Sequence, residues 1–598
     1  MEQTIPGLFL KRVEKYRDRV ALREKNFGVW DEITWETYYE HVSDFAYGLI
    51  SLGFKEEDCL AILSENRQEW LYADVATQCL GAVRTGIYPT EPSFQVKYLL
   101  KHSKSKICVV EDQEQTDKVL EFKDEIPELK WVVYIDPKGL RNYNDKILIS
   151  FVEVQELGKK LKYKSPKLLK QCVEKVRSDD VAIMVYTSGT TGPPKGAMLS
   201  HRGILQASRS LNKQLKLCEN DDIVSYLPLC HAAECIFSLF IPMLAGNRVN
   251  FAESVSTVQE ALIEISPSFY FGVPRIWEKM HGKIHNQMLD SSKLKQIFFK
   301  LGVKIGEKIA QKIWDSEPLN LRWKALRLFA YLVCFRPIRD KLGLLDSRIN
   351  ISGSAPIGPD ILRFFHSIGV FIQEGYGMTE NSGITFLQPE GYFHVGSVGF
   401  PIEGVEYKIL EDGELIVRSD TNFVGYYRDP EATAKCLVDG WVYTGDVVQK
   451  DKKGNMFIVD RKKDIIITAG GKNISPSEIE HQLKSSFYIK EAIIVGDRRK
   501  FVSALIEIDY DITGKWATKK GIPYTNYKNL AGNPEVHELI VKEVEKTNKV
   551  FARVQNIRKF QILPKELDVD DSEVTATQKV RRKNIQDYFS DLIEEMYQ

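Results

Sequence analysis

Apolar positions along this chain follow two alternating rhythms. One is helical: Val42, Phe45, Leu49 and Leu52 recur at the spacing of a single helix face. The other consists of short apolar runs rich in β-branched residues: Cys59–Leu63 (CLAIL), Lys106–Val110 (KICVV), Trp131–Ile135 (WVVYI) and Val181–Tyr186 (VAIMVY). Such runs predict buried strands. Strands alternating with helices predict an α/β protein of mostly parallel sheets with packed helices.

The pattern changes after the charged stretch Lys450–Lys463. Ser475-Pro476-Ser477-Glu478 predicts a helix start, with Ser at the N-cap, Pro at the first turn and Glu closing a capping box before Ile479 and Leu483. EAIIVG (Glu491–Gly496) and SALIEI (Ser503–Ile508) predict strands. Asn533-Pro534 starts another helix with Val536, Leu539 and Ile540 on one side. A chain of 598 residues is too long for one core. The expected organisation is a large N-terminal domain over 1–460, a hinge at 461–464 and a small α+β C-terminal domain over 465–598.

The most informative local feature follows the Val181–Tyr186 strand. Thr187, Ser188, Gly189, Thr190, Thr191, Gly192, Pro193, Pro194, Lys195 and Gly196 combine glycines, hydroxyls and one lysine. Glycines let backbone N–H groups converge on an anion, hydroxyls add hydrogen bonds, and the lysine adds a point charge. The run is not a Walker A loop, because Pro193 and Pro194 precede Lys195 and glycine follows it. On composition alone, a phosphate cradle and an ordinary Gly/Ser/Thr turn both fit.

Charge adds an exclusion. Lys+Arg and Asp+Glu both number 82, so no bulk positive charge draws nucleic acid. Nine cysteines are scattered without metal-ligand spacing, as expected of reduced thiols in a cytoplasmic setting. The N-terminus has no apolar signal core. No stretch reaches the length of a membrane-spanning helix. Leu326–Phe335 (LRLFAYLVCF) is the most apolar segment, flanked by Arg322, Lys324, Arg336, Arg339 and Lys341. It fits a core helix under a basic rim, the preferred reading, or a peripheral contact at a membrane surface.

Further strings occur downstream. They are SGSAP (Ser352–Pro356), EGYGMTE (Glu374–Glu380), YTGD (Tyr443–Asp446), DRKKD (Asp460–Asp464), GGKNISPSEIE (Gly470–Glu480) and TATQKVRRK (Thr575–Lys583). With the Thr187–Gly196 loop, this set and its order resemble the adenylate-forming, AMP-binding superfamily, over nearly the whole chain. The strongest similarity is to long-chain fatty acyl-CoA synthetases of the bacterial and bubblegum type.

The resemblance implies a ligase that activates a long-chain fatty acid in two steps, through acyl-AMP, with ATP, Mg²⁺ and coenzyme A. It implies that the Thr187–Lys195 loop holds the β- and γ-phosphates, with Lys195 acting in catalysis. Thr379 would contact the α-phosphate, and Glu380 would be the metal ligand. Adenine would lie between Ser354-Ala355 and the Glu374-Gly375-Tyr376-Gly377-Met378 segment. Asp446 and Arg461 would meet the ribose. Lys579 would be the late lysine of adenylation, although Thr575-Ala576-Thr577-Gln578 lacks the proline many relatives carry there. Lys463 would be the hinge of a mobile C-terminal domain, and Gly470-Gly471-Lys472 would face the second half-reaction.

For the acid, FGVPRIWEKM (Phe271–Met280) and YLPLCHAAE (Tyr226–Glu234) resemble the acyl-site segments of that group. Trp277 would gate a fatty-acid tunnel beside Phe271, and His231 would line the acyl site. Each buried methylene contributes about 0.8 kcal/mol, so a long acid would bind mainly through its tail. Trp277 and His231 also fit plain core positions. Adenylation of another acid, transfer to a carrier-protein phosphopantetheine, and a non-catalytic binding relative are the competing readings. The last predicts eroded ATP residues, whereas Lys195, Glu380, Asp446, Arg461 and Lys579 are all present.

Overall fold

The structure is a computed structural model that describes residues 3–187, 193–568, 571, 573–575 and 579–598. Its largest sheet contains β1 (Cys59–Leu63), β2 (Val83–Ile87), β3 (Ser105–Val110), β4 (Trp131–Tyr134), β5 (Leu148–Ser150), β6 (Val181–Thr187) and β7 (Lys195–Ser200). The order is Gly425–Tyr426, β7, β6, β2, β1, β3, β4, β5. Strands β1 to β6 run parallel, and β7 turns back antiparallel to β6. Every residue of β1 is buried, which is why it reads as a continuous apolar run rather than an alternating one. Val42, Phe45 and Leu49 are fully buried on the helix Trp35–Ser51.

A second sheet carries the site's other wall. It contains β8 (Phe269–Gly272), β9 (Ile349–Ser352), β10 (Ile372–Met378), β11 (Gly383–Leu387) and the edge pair Phe400–Pro401. Strands β8, β9 and β10 are parallel, and β10 and β11 form an antiparallel hairpin. A third, antiparallel sheet includes β12 (Trp441–Lys450) and β13 (Met456–Arg461).

Four helices matter below. They are α1 (Lys293–Trp314), α2 (Leu321–Ala330), α3 (Pro359–Ser367) and α4 (Pro476–Lys484). The chain crosses from β9 to β10 through α3. Beyond β13, the strands Ile489–Val495, Val502–Ile508 and Ile557–Ile562 form one sheet. Ile479 and Leu483 of α4 close over it with Val536 and Ile540. The apolar cluster that includes the third sheet reaches Met456, and the C-terminal cluster begins at Ile466.

Two expectations change. The capping box at Ser475 does not form, since the Ser475 side chain makes no cap bond to its own helix. Its Oγ instead donates to Asp460 Oδ2 (2.7 Å), and Ser477 donates to the same carboxylate from both N and Oγ (3.0 and 2.9 Å). A full negative charge at a helix N-terminus outcompetes the Glu478 side chain for that place. Asp460, on β13, therefore caps α4 from outside.

The second change concerns Leu326–Phe335. Ala330, Cys334 and Phe335 are buried, but Leu326, Leu328, Phe329, Leu332 and Val333 are exposed. The segment is half a core helix. A π-turn over Tyr331–Phe335 follows α2, and only one flank packs back on α1. There Gly302 passes so close to Cys334 that a Cβ would sit 2.9 Å from its Sγ. All nine cysteines are unpaired.

Candidate active site

The C-terminal ends of β6, β9 and β10 open toward one cleft, the usual ligand position in parallel α/β sheets. Its walls need close backbone approach. A Cβ on Gly377 would lie 1.8 Å from the Gly383 carbonyl oxygen, and one on Gly353 would lie 3.2 Å from that of Gly375. The β10–β11 register shifts between Tyr376 and Gly377, so the strand bulges there. Ser354 sits in the left-handed region at φ 71°. That costs a non-glycine residue about 1–2 kcal/mol and turns the Ser354-Ala355 loop back across the strand ends. Glu374 lies just before the bulge. It is buried, its Oε1 accepts from the Gly396 N–H (2.8 Å), and burial pushes its carboxyl up to about 8.

Asp446 and Arg461 stand directly opposite each other on the β12–β13 ladder, which explains their spacing in sequence. Arg461 Nε lies 2.8 Å from Asp446 Oδ1, and the Tyr376 hydroxyl donates to Oδ2 at 2.5 Å. Burial raises the Asp446 carboxyl above its ordinary range, while the Arg461 charge and the Tyr376 hydroxyl oppose that rise. Asp446 is thus a fixed acceptor held between a phenol and a guanidinium.

Glu380 lies in a tight turn, Thr379–Asn381, immediately after β10. It is buried, and its Oε1 accepts from the Tyr426 hydroxyl (2.6 Å). Lys195 Nζ lies 5.2 Å from the centre of the same Tyr426 ring and 4.0 Å from Asp429 Oδ2. Tyr426 therefore joins the first residue of β7 to the β10 turn. Neither Tyr426 nor Asp429 is singled out by the sequence reading. The only signal is the aromatic pair Tyr426-Tyr427 beside Gly425, on the strand that edges β7.

Lys579 comes from the far end of the chain to the rim of this cleft, where the residue as a whole stays exposed and its ammonium lies within electrostatic reach of Arg461, Asp446 and Glu380. Desolvation there and the Arg461 charge lower its ammonium below the usual lysine range, against Asp446 and Glu380. Its charge also reaches His231, whose imidazole is held down at about 4, chiefly by burial. A lysine from the C-terminal unit and an acid pair and a histidine from the N-terminal unit thus share one electrostatic field. His231 also accepts from the Ala233 N–H at 3.3 Å, starting the short helix Ala232–Cys235.

The remaining expected residues fall as follows. Thr187 ends β6 opposite Lys195, Pro194 accepts from the Tyr98 hydroxyl (3.1 Å), and Pro193 is exposed. Ser188, Gly189, Thr190, Thr191 and Gly192 lie outside the described residues. Phe271 is buried on β8 against Phe237, ring centres 4.8 Å apart. Trp277 is fully buried; its Nε1 donates to the Gly272 carbonyl (3.0 Å), and its ring stands edge-on to Tyr270 (5.1 Å) and Phe365 (5.0 Å). In this conformation it packs as core and does not face the cleft. Gly470, Gly471 and Lys472 are exposed in a turn closed on Thr468. Lys463 follows β13 and is exposed.

Comparison with known proteins agrees with this geometry. Residues 9–427 match the AMP-binding enzyme family, and residues 463–598 match the AMP-binding enzyme C-terminal domain. The chain belongs to the AMP-binding, adenylate-forming enzymes. Among its relatives, the long-chain-fatty-acid–CoA ligase ACSBG2 of Xenopus laevis is 31% identical, covering 100% of this chain and 84% of its own. The long-chain-fatty-acid–CoA ligase FadD15 of Mycobacterium bovis is 32% identical, covering 95% of this chain and 93% of its own. Among solved structures, the anthranilate CoA ligase AuaEII in complex with anthranoyl-AMP superposes with a TM-score of 0.75 at 18% identity, over 99% of this chain and 100% of that one. At that identity the likeness speaks for the fold alone.

Proposed function

We infer that this enzyme converts a long-chain fatty acid to its coenzyme A thioester through acyl-AMP. Full-length kinship to fatty-acid ligases supports the substrate. The observation that carries the chemistry is that Lys579 stands within electrostatic reach of Asp446, Arg461 and Glu380 at one cleft. In the first step a carboxylate oxygen attacks the α-phosphorus of ATP, and the α–β bridging bond breaks to release pyrophosphate. Charge accumulates around phosphorus, so fixed cations and oriented donors do most of the work. Lys579 reaches the cleft and serves as the cation between acid and α-phosphate. Asp446, held by Tyr376 and Arg461, accepts from the ribose hydroxyls. The Gly375–Met378 and Ser354-Ala355 backbones clamp the base. Lys195 and the 187–195 loop take the leaving phosphates, with Thr379 on the α-phosphate.

Mg²⁺ fits the donor set. No cluster of three His, Cys, Asp or Glu occurs among the described residues. A single buried carboxylate, Glu380, suits an ion that takes its other ligands from substrate phosphates and water. Bound there, it would neutralise phosphate charge, and Tyr426 fixes the rotamer of the carboxylate that holds it.

In the second step the thiolate of coenzyme A attacks the acyl carbon and AMP leaves with the bridging oxygen. Here the C-terminal domain turns about Lys463, withdrawing Lys579 and bringing Gly470-Gly471-Lys472 to the cleft. Trp277, packed as core in this conformation, would have to swing aside to admit the acyl tail beside Phe271, with His231 at the head of that path. Nine unpaired cysteines fit a cytoplasmic setting. The deciding assay is AMP release with palmitate, acetate and benzoate, each with and without coenzyme A. Release with palmitate that depends on coenzyme A is expected, and activity confined to acetate or benzoate overturns the assignment.

A further inference from the structure

We propose that the α1–α2 hairpin is a docking surface for an anionic phospholipid bilayer. Among the described residues, 23 large hydrophobic side chains are exposed, and ten lie between Leu294 and Val333. Leu294, Ile297, Phe298 and Leu301 form a one-face stripe on the first half of α1. Leu326, Phe329 and Val333, with Leu328 and Leu332, form a broader one on α2 and its π-turn. An exposed apolar concentration of this kind marks an interaction site.

Charge selects the partner. Residues 293–341 carry 12 Lys and Arg against four Asp and Glu, so the other residues carry 70 against 78. The hairpin segment thus carries a net charge of +8 on a chain whose remaining residues sum to −8, so an anionic surface favours the orientation that presents it. A protein partner would need only shape and apolar area. The combination of exposed leucines and phenylalanines with flanking cations is the pattern of helices that lie in the headgroup region. No described helix is long and apolar enough to cross a membrane, so the contact is peripheral.

The hairpin also holds a cavity of about 410 Å³, whose lining includes Ile309, Leu328 and Tyr331 together with Lys324, Arg327 and Arg339. Apolar walls beside three cations suit the end of one lipid and its phosphate. His366 of α3 borders this cavity, and its neighbour Phe365 packs on Trp277. The docking surface and the Trp277 region therefore share one helix. The surface stands on its own geometry, whichever acid the enzyme activates.

The test is co-sedimentation of the full chain with phosphatidylcholine vesicles, with and without phosphatidylglycerol. Binding is expected to the anionic vesicles, more than tenfold tighter than to the neutral ones, and to weaken with salt. Each cation near the surface strengthens binding about fivefold, so Arg322→Gln/Lys324→Gln/Arg327→Gln should weaken it about a hundredfold. Leu328→Ser/Phe329→Ser/Leu332→Ser should release the protein from both vesicles. Circular dichroism and ATP affinity, unchanged in both triples, exclude misfolding. The proposal is overturned if wild type ignores lipid, binds both vesicles equally, or is matched by both triples. It is equally overturned if sedimentation shows a dimer that the leucine-phenylalanine triple dissociates, because a second copy would then cover the face.

Discussion

Glu374 gives the sharpest quantitative expectation. It is 5% exposed and accepts one hydrogen bond, from Gly396. Burial carries its carboxyl from an ordinary 4.5 to about 8. At neutral pH the native enzyme therefore holds Glu374 as a neutral acid, while the unfolded chain has released that proton. A group raised in the native state stabilises fully below its unfolded pKa and loses that contribution as pH climbs through the native one. The window here runs from about 4.5 to about 8. Across it the shift amounts to about 5 kcal/mol, of which about 2–3 kcal/mol falls between pH 5 and pH 7. Glu374→Gln keeps the acceptor for Gly396, matches the protonated acid in shape and cannot titrate. Urea unfolding of both proteins at pH 5, 7 and 9 reads the difference as midpoint times slope. The Gln variant should gain on wild type by about 2–3 kcal/mol between pH 5 and 7 and level off above pH 8. Two profiles that stay parallel across this range would refute a protonated Glu374 and the apolar enclosure inferred for it.

Lys579→Ala should abolish acyl-AMP formation yet still convert supplied acyl-AMP to thioester; retained adenylation, followed by pyrophosphate release, would show that another cation serves the first step. Lys463→Pro should slow thioester formation at least tenfold while sparing adenylation, because proline fixes the φ that the turn must change; equal loss in both half-reactions counts against a hinge at this residue. Asp460→Ala removes three hydrogen bonds from the start of α4 and should destabilise the C-terminal unit by about 1–3 kcal/mol. Calorimetry would show its transition moving down while the N-terminal one holds, and an unmoved transition would mean that Ser475 and Ser477 cap α4 without help.

What the sequence disclosed and what it hid follow from the range of the interactions involved. The strands Cys59–Leu63 and Val181–Thr187 were legible because burial on both faces leaves a continuous apolar run. Asp446 and Arg461 were legible as separate strings, and the β12–β13 register makes them one pair. The capping box of α4 is absent because the local rule pairs Ser475 with Glu478, whereas a charged residue 15 positions before Ser475 takes the place. Tyr426 escaped notice for the same reason. Its hydroxyl meets Glu380 and its ring meets Lys195 only after three distant segments assemble. The apolar segment Leu326–Phe335 hid its nature differently, since apolar pattern reports what avoids water and not what replaces it. Two of the misses lie where the fold joins units, Asp460 between β13 and α4 and Tyr426 between the two main sheets, whereas the α1–α2 hairpin presents an uncovered face. Local sequence rules describe units that are stable alone, so they are least informative at the joints, where function is decided.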